Sequence, residues 1–265
     1  MDMALTPEQH RLREGKLTAS RVSALMGGDA AKILNLWREM IGDPAFVAED
    51  LSGVWPVRLG EATEALNLEW YSRKHGKISR MGEVVTGNPS WMAATLDAWD
   101  IEHACPVEAK NVGGREPLET IIARYAPQTT WQMMITESKQ CALSVIMGAN
   151  EPIVEFLPFD AEYAAELMKR AKQFMACVES LTPPVALPAI TAPVIAAKIY
   201  PMDGNAEWKA QAERWVQSYG AAQIAKEAET KLKALVPADA AKAIGHGITI
   251  TRNRAGSLAL REDKK

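Results

Sequence analysis

Apolar and polar positions along this chain change period several times, and each change marks an element. Ile33, Leu34 and Trp37 fall on one face of a helix expected from Asp29 to about Ile41. In residues 57–75 a stripe of Leu59, Ala62, Leu66 and Trp70 recurs at 3 and 4 spacing, which predicts a helix packing through that stripe. Its second face carries Gly60, Glu64, Leu68 and Tyr71, too apolar for free solvation, so Glu64 is expected to be partly buried and aimed at a site. The run 78–87 reads as a strand ending at the Asn88–Pro89 turn, and two short apolar runs follow between Trp91 and Val112, bounded by Gly113 and Gly114. They predict adjacent strands of a hairpin.

Residues 116–138 return to helical spacing. Pro127 interrupts them, and a proline is best tolerated in a first turn, which predicts a helix proper beginning near it. Residues 140–148 and 151–159 read as a hairpin around Gly148 to Asn150, and Asp160 caps a helix to about Leu181 with Tyr163, Leu167, Phe174 and Val178 inward. Earlier, Thr18 before Ala19, Ser20 and Arg21 reads as a helix N-cap, with Gly27 and Gly28 ending that helix. The order predicts an α/β sandwich with a five-stranded mixed sheet flanked by helices. Recurrent prolines at 183–203 predict an extended linker between a first domain, 1–182, and a carboxy-terminal extension, 204–265. In that extension Trp208, Ala212, Trp215, Tyr219 and Ala222 alternate 4 and 3 spacing, and residues 247–262 read as a hairpin turning at Asn253 to Gly256.

Composition narrows the chemistry more than the fold. The chain has 265 residues, 48% hydrophobic and 24% charged. Its amino terminus lacks the apolar core of a signal peptide, and it holds no run of about 18 apolar residues, so a protein of the cytoplasm, off the membrane, is expected. Cys105, Cys141 and Cys177 form no Cys-x-x-Cys pair, and the four histidines show no ligand spacing, so a bound metal would need oxygen donors. A net charge of −3 excludes a uniformly basic coat, yet Arg11, Arg13, Lys16 and Arg21 cluster early, and Arg73, Lys74, Lys77 and Arg80 cluster before the first strand.

The chemistry gathers at WMAATLDAWDIEHACPVEAKNV, residues 91–112. Asp97 closes one apolar run, and Glu108, Ala109 and Lys110 interrupt the next. Side chains alternate along a strand, so Ala109 points away while Glu108 and Lys110 share a face. Two neighbouring carboxylates in apolar strands are costly to bury without a positive partner, and a divalent cation with oxygen ligands is the commonest. Ser20 at a helix amino terminus, with Arg13 upstream, would make a phosphate pocket. Tyr125 and Gln128, three apart, share a helix face.

An aspartate, a spacer and Glu-x-Lys on the next strand resemble the PD-(D/E)xK nucleases, with Leu96 where their proline stands. Over residues 7–180 the ordered set of Arg13, Thr18-Ala19-Ser20, Gly60-x-x-x-Glu64, Asp97, Glu108-x-Lys110 and Tyr125-x-x-Gln128 is similar to the lambda exonuclease and YqaJ-like viral recombinase, or alkaline exonuclease, family. The resemblance implies a restriction-endonuclease-like core and a magnesium-dependent exonuclease that degrades double-stranded DNA from a 5′ end. Mononucleotides are released and a 3′ single strand remains for recombination by annealing. It implies two Mg2+ ions per site, with Mn2+ able to substitute. Asp97, Glu108 and the Ala109 carbonyl would be ligands, Glu64 would hold water or the second ion, Lys110 would act on the attacking water, and Gln128 would contact the site. Arg13, Ser20 and Thr95 would bind a 5′ phosphate, and Tyr125 would lie with them against DNA. It further implies a ring of three subunits, a single-strand annealing protein as partner, and a bacterial host cell with a phage or prophage gene. The competing readings are an endonuclease of the same superfamily, which would cut closed circles, and a non-catalytic DNA-binding protein, which has no need of carboxylates that repel phosphate.

Overall fold

Leu17–Thr18 and Met92–Thr95 lie side by side as parallel strands, and that pairing brings the two ends of the future site together. The computed structural model describes residues 6–193 and 201–263. In chain order the first unit contains α1 (Pro7–Arg13), β1 (Leu17–Thr18), α2 (Ser23–Met26), α3 (Ala30–Ile41), α4 (Trp55–Lys74), β2 (Ile78–Ser79), β3 (Val84–Thr86), β4 (Met92–Thr95), β5 (Ala98–Asp100), β6 (Cys105–Val112), α5 (Leu118–Thr136), β7 (Gln140–Met147), β8 (Ile153–Pro158) and α6 (Ala161–Glu179). A second unit begins at Ala197. It contains α7 (Ala206–Ala234), β9 (Lys242–Gly245), β10 (Ile248–Arg252) and β11 (Leu258–Glu262).

The main sheet has five strands in the order β2-β5-β6-β7-β8. Only β6 and β7 are parallel, joined by the crossover through α5; the other pairs are antiparallel. The alternation expected of β6 holds: Val107 and Ala109 pack with Leu68 and Tyr71 of α4 on one face, and Glu108 meets α5 on the other. Interior β7 reads QCALSVIM and is buried on both faces, as a strand covered by helices must be. Its Leu143 and Val145 pack with Ile121 and Ile122 of α5. A smaller sheet, β1-β4-β3, carries the largest core, where Met92, Ala94, Leu96 and Trp131 meet α2, α3 and α6.

Several expectations are corrected. Thr18 is no N-cap: it lies in β1, and only Ser23–Met26 is helical, so Ser20 sits in a turn between the two. Backbone pairing with β4 outcompetes the local capping signal there. The expected strand 78–87 is two strands in different sheets, separated by a turn in which Arg80 and Gly82 have positive φ. The hairpin is β5–β6, not the whole of 91–112, because β4 belongs to the smaller sheet. Pro127 lies inside a continuous α5, buried, with Thr129 Oγ1 donating to the carbonyls of Tyr125 and Ala126.

The largest correction concerns α4. Its buried face is not the stripe Leu59, Ala62, Leu66 and Trp70 but the second face, with Asn67, Leu68 and Tyr71, while Leu66 is 60% exposed. Asn67 supplies the reason: its amide donates to the carbonyls of Lys110 (3.3 Å) and Ser144 (3.0 Å) and accepts from Ser144 Oγ (2.5 Å). These bonds pin α4 across β6 and β7, and a buried amide so satisfied outweighs the apolar stripe in choosing the face.

After α6 the proline-rich chain, as far as residue 193, lies against the first unit. Ile190 N–H donates to the Met26 carbonyl (3.0 Å), and Ala189 backbone crosses over Gly28 so closely that an added Cβ would stand 2.7 Å from its nitrogen. The remainder of the expected linker, 194–200, lies outside the described residues. In the second unit α7 runs 29 residues with no buried side chain, capped by Asn205. The expected hairpin is β10–β11, and β9 adds a third strand across a turn at His246 and Gly247, both of positive φ. That Gly245-His-Gly247 turn was the overlooked signal. Among the described residues no helix is long and apolar enough to cross a membrane.

Candidate active site

Asp97 stands where the chain leaves the small sheet for the large one, between Thr95 of β4 and Ala98 of β5. Pairing of β5 with β6 stops at Ala98 opposite Val107, so β6 from Glu108 onward has no strand on that edge. Asp97 fills part of the gap: its Oδ2 accepts the Ala109 N–H at 2.8 Å. A strand residue projects its N–H and C=O toward the same edge, so the Ala109 carbonyl also faces the opening beside Asp97.

Glu108 is fully buried and fully engaged. Gln128 Nε2 donates to Oε1 and Gln132 Nε2 to Oε2, each at 2.5 Å, and the Lys110 ammonium pairs with Oε1. Gln128 and Gln132 are one helical turn apart on α5, which is how both reach one carboxylate. Lys110 also lies 5.3 Å from the centre of the Tyr125 ring. Burial alone would lower the lysine pKa, but Glu108 and Asp97 outweigh it and hold the ammonium above its ordinary range. Asp97 is pushed well above the usual carboxylate range by burial, then by Glu108, against the pull of Lys110. Glu64, half-buried on α4, is raised by burial and by Glu108, with Lys110 opposing.

A cleft of about 360 Å3 opens in front of these groups. Glu64, Asp97 and Gln128 line it together with Arg13, Ser20 and Thr95. Arg13 Nη1 donates to Thr95 Oγ1 at 3.1 Å, and the Ser20 and Thr18 hydroxyls are 3.3 Å apart. Burial and the nearby Arg21 both lower the Arg13 pKa, and among the described residues no carboxylate pairs with it, which suits the seat of an anion. The expected phosphate residues thus converge although the helix terminus invoked for them does not exist. Tyr125 does not line the cleft; it covers Lys110. Gln9, whose amide donates to the Gly82 carbonyl at 2.6 Å, and Met81 form the rim.

Among the described residues no three His, Cys, Asp or Glu side chains already converge as a metal cage. The donor set still fits a hard divalent cation. Asp97, Glu108, the Ala109 carbonyl and Glu64 are all oxygen donors, and among the described residues Lys110 pairs with Glu108, while Asp97 and Glu64 repel Glu108 and form no ion pair. Asn67 and Gln132 escaped the sequence reading. The four-residue spacing from Gln128 was a signal for Gln132; nothing local marked Asn67.

Residues 8–139 match the YqaJ-like viral recombinase domain. No curated protein matches in sequence. Among solved structures, the alkaline exonuclease LHK-Exo from Laribacter hongkongensis is similar with a TM-score of 0.56 and 19% identity, over 66% of this chain and 94% of that one. The same enzyme in complex with dAMP gives a TM-score of 0.54 at 19% identity and the same coverage. Residues 8–139, which hold every residue of the site, form a YqaJ-like viral recombinase domain.

Proposed function

We propose that this protein is a magnesium-dependent 5′-to-3′ exonuclease of double-stranded DNA that releases 5′-mononucleotides and leaves a 3′ single strand for annealing. The observation that carries the reading is one cleft lined by Arg13, Ser20 and Thr95 together with Glu64, Asp97 and Gln128. A terminal 5′ phosphate on Arg13, Ser20 and Thr95 would place the next phosphate of the strand toward Asp97 and the Glu108–Lys110 pair.

Two Mg2+ ions, or Mn2+ in their place, would be held by Asp97, Glu108 and the Ala109 carbonyl, with Glu64 on the water side. Bound there, they supply Lewis-acid polarisation of the phosphate and a lowered pKa for water. The residues do the rest. Gln128 and Gln132 fix the Glu108 carboxylate, and Lys110, held protonated, stabilises negative charge as the attacking oxygen forms its bond to phosphorus. The bond from phosphorus to O3′ of the first nucleotide breaks, and that oxygen leaves with a proton. The phosphate stays on the shortened strand, which regenerates the group that Arg13 binds. LHK-Exo was solved with dAMP, a mononucleotide of the kind this reaction would release.

A ring of three subunits, an annealing protein as partner and a phage or prophage gene in a bacterial cytoplasm belong to the same proposal through family resemblance. The test is digestion of linear duplex with 5′-phosphate or 5′-hydroxyl ends, with a closed circle and EDTA as controls. Magnesium-dependent loss of the 5′-phosphate substrate with the circle intact is expected. Cleavage of the circle would establish an endonuclease instead.

A further inference from the structure

Three aromatic side chains stand in one line along α7, a helix that buries none of its residues: Trp208, Trp215 and Tyr219, 58%, 61% and 47% exposed. Steps of 7 and 4 residues keep to a single helix face, and a further 7 reaches exposed Lys226. The Trp215 and Tyr219 rings lie 4.6 Å apart, centre to centre, and form one platform; Trp208 stands on the order of 10 Å before it. A groove of about 720 Å3 runs beside Trp208 and Trp215, lined also by Gln211, Arg214 and Ser218. Helical spacing turns Glu207, Glu213 and Glu227 about 100° or more away from the aromatic line. Glu229 lies nearer, but Lys233 neutralises it at 2.6 Å. Among the described residues Arg214 and Lys226 pair with no carboxylate. The second unit as a whole is positive: residues 197–265 hold 12 Lys and Arg against 8 Asp and Glu, whereas residues 1–196 hold 18 against 25.

We propose that this face of α7 binds single-stranded DNA, with bases stacked on Trp208 and on the Trp215–Tyr219 platform and the phosphates running past Arg214 and Lys226. An exposed ring accepts any base, since every base has a π face, and the phosphates supply the negative charge that a positive unit attracts. Duplex DNA cannot use the line in this way, because its bases are already stacked on one another. A second copy of the chain fits less well. The apolar 4 and 3 spacing ends at Ala222 after about two heptads and Lys226 takes the next position, whereas a coiled coil sustains the pattern over about three or four. The inference rests on the proposed digestion only for the source of the strand, the 3′ overhang it leaves. The binding face itself lies in a unit that holds none of the cleft residues.

Fluorescence anisotropy of the full-length protein with a labelled oligothymidine lacking a 5′ phosphate, in EDTA so that no strand is cut, tests the face. Wild type is expected to bind, and Trp208→Ala with Trp215→Ala to weaken binding at least tenfold through lost stacking under two bases. Trp208→Phe with Trp215→Phe is expected to keep most of the affinity. Arg214→Gln with Lys226→Gln is expected to flatten the slope of log Kd against log salt by roughly 1.4, the share of two phosphate contacts. Sedimentation mass, unfolding temperature and affinity for blunt duplex are expected to stay unchanged in the alanine pair. A wild type that does not bind the oligothymidine, or an alanine pair that binds it as tightly, would overturn the proposal. So would an alanine pair of altered mass, which would make the face a contact between copies, or of lowered unfolding temperature, which would make it packing within the chain. The nuclease reading fails separately: a protein that holds the oligothymidine through this face but digests no linear duplex with Mg2+ keeps the site and loses the proposed reaction.

Discussion

Gln132 Nε2 donates to Glu108 Oε2 at 2.5 Å while the Cys141 thiol lies 3.7 Å from Gln132 Oε1, so the amide is fixed in one orientation and the carboxylate in one plane. Gln132 has no exposure of its own. Gln132→Leu should therefore leave a buried carboxylate oxygen without its donor, at roughly 1–3 kcal/mol of stability. Thermal unfolding should show the loss, and calorimetric titration with Mn2+ should show weaker binding. Unchanged unfolding and unchanged metal affinity together would remove the role given to Gln132.

Asp97 bears on pH. Its folded-state pKa is raised, so the stability associated with it is fully present below the ordinary carboxylate value of 3.8 and lost as pH rises through the folded value. In the metal-free protein the fold therefore favours the uncharged form of this side chain. Asp97→Asn should raise the unfolding temperature without metal and abolish nuclease activity. A lower unfolding temperature in EDTA would contradict the electrostatic account of the site.

Arg13→Gln removes a positive charge that lines the cleft. Digestion of 5′-phosphorylated duplex should fall at least tenfold, about 1.4 kcal/mol or more, toward the rate on 5′-hydroxyl ends. Rates on the two ends compared side by side give the measurement; a preference surviving intact would place the phosphate elsewhere.

Asp100, at the far end of β5, is a carboxylate of another kind. It is fully buried and accepts from Tyr71 Oη (2.6 Å) and from the backbone N–H groups of Glu102 and His103 (2.8 and 2.9 Å), with His103 Nδ1 at 2.8 Å. Burial pushes its pKa up, but the bonds from Tyr71 and His103 outweigh it and leave the value below 3.8. A depressed acid stabilises the fold above its unfolded pKa, and that stability is lost as pH falls through the folded value. Asp100→Asn should cost roughly 1.5–3 kcal/mol at neutral pH and flatten the acid limb of stability below about pH 4. Denaturant midpoints at pH 7 and pH 3 would show it, and equal losses at both would refute the linkage.

Gly28 has a φ of +70 and lies under Ala189, so Gly28→Ala is strained twice, by its backbone and by the 2.7 Å approach. It should release residues 183–193 and speed their proteolysis with the sheet intact. An unchanged digestion pattern would show that the segment is held by other contacts.

Much of this protein follows from local rules. The alternation through Glu108, Ala109 and Lys110 dictates which side chains share a face, since a strand has a period of two whatever surrounds it. The caps Asp29 and Asp160 and the hairpin of β7 and β8 are equally local. What only tertiary structure decided is which of two surfaces each element buries and which distant segments meet. The apolar stripe of α4 lost to a face carrying Asn67, because three hydrogen bonds to β6, β7 and Ser144 exist only after the strands have assembled. Thr18 looked like a cap until β4 offered its backbone. Arg13 and Thr95 are 82 residues apart, and no spacing rule reaches that far. The chain determined the chemistry by the side chains it carries; their convergence at an open sheet edge came from β5 ending at Ala98, a consequence of long-range pairing that local periodicity does not encode.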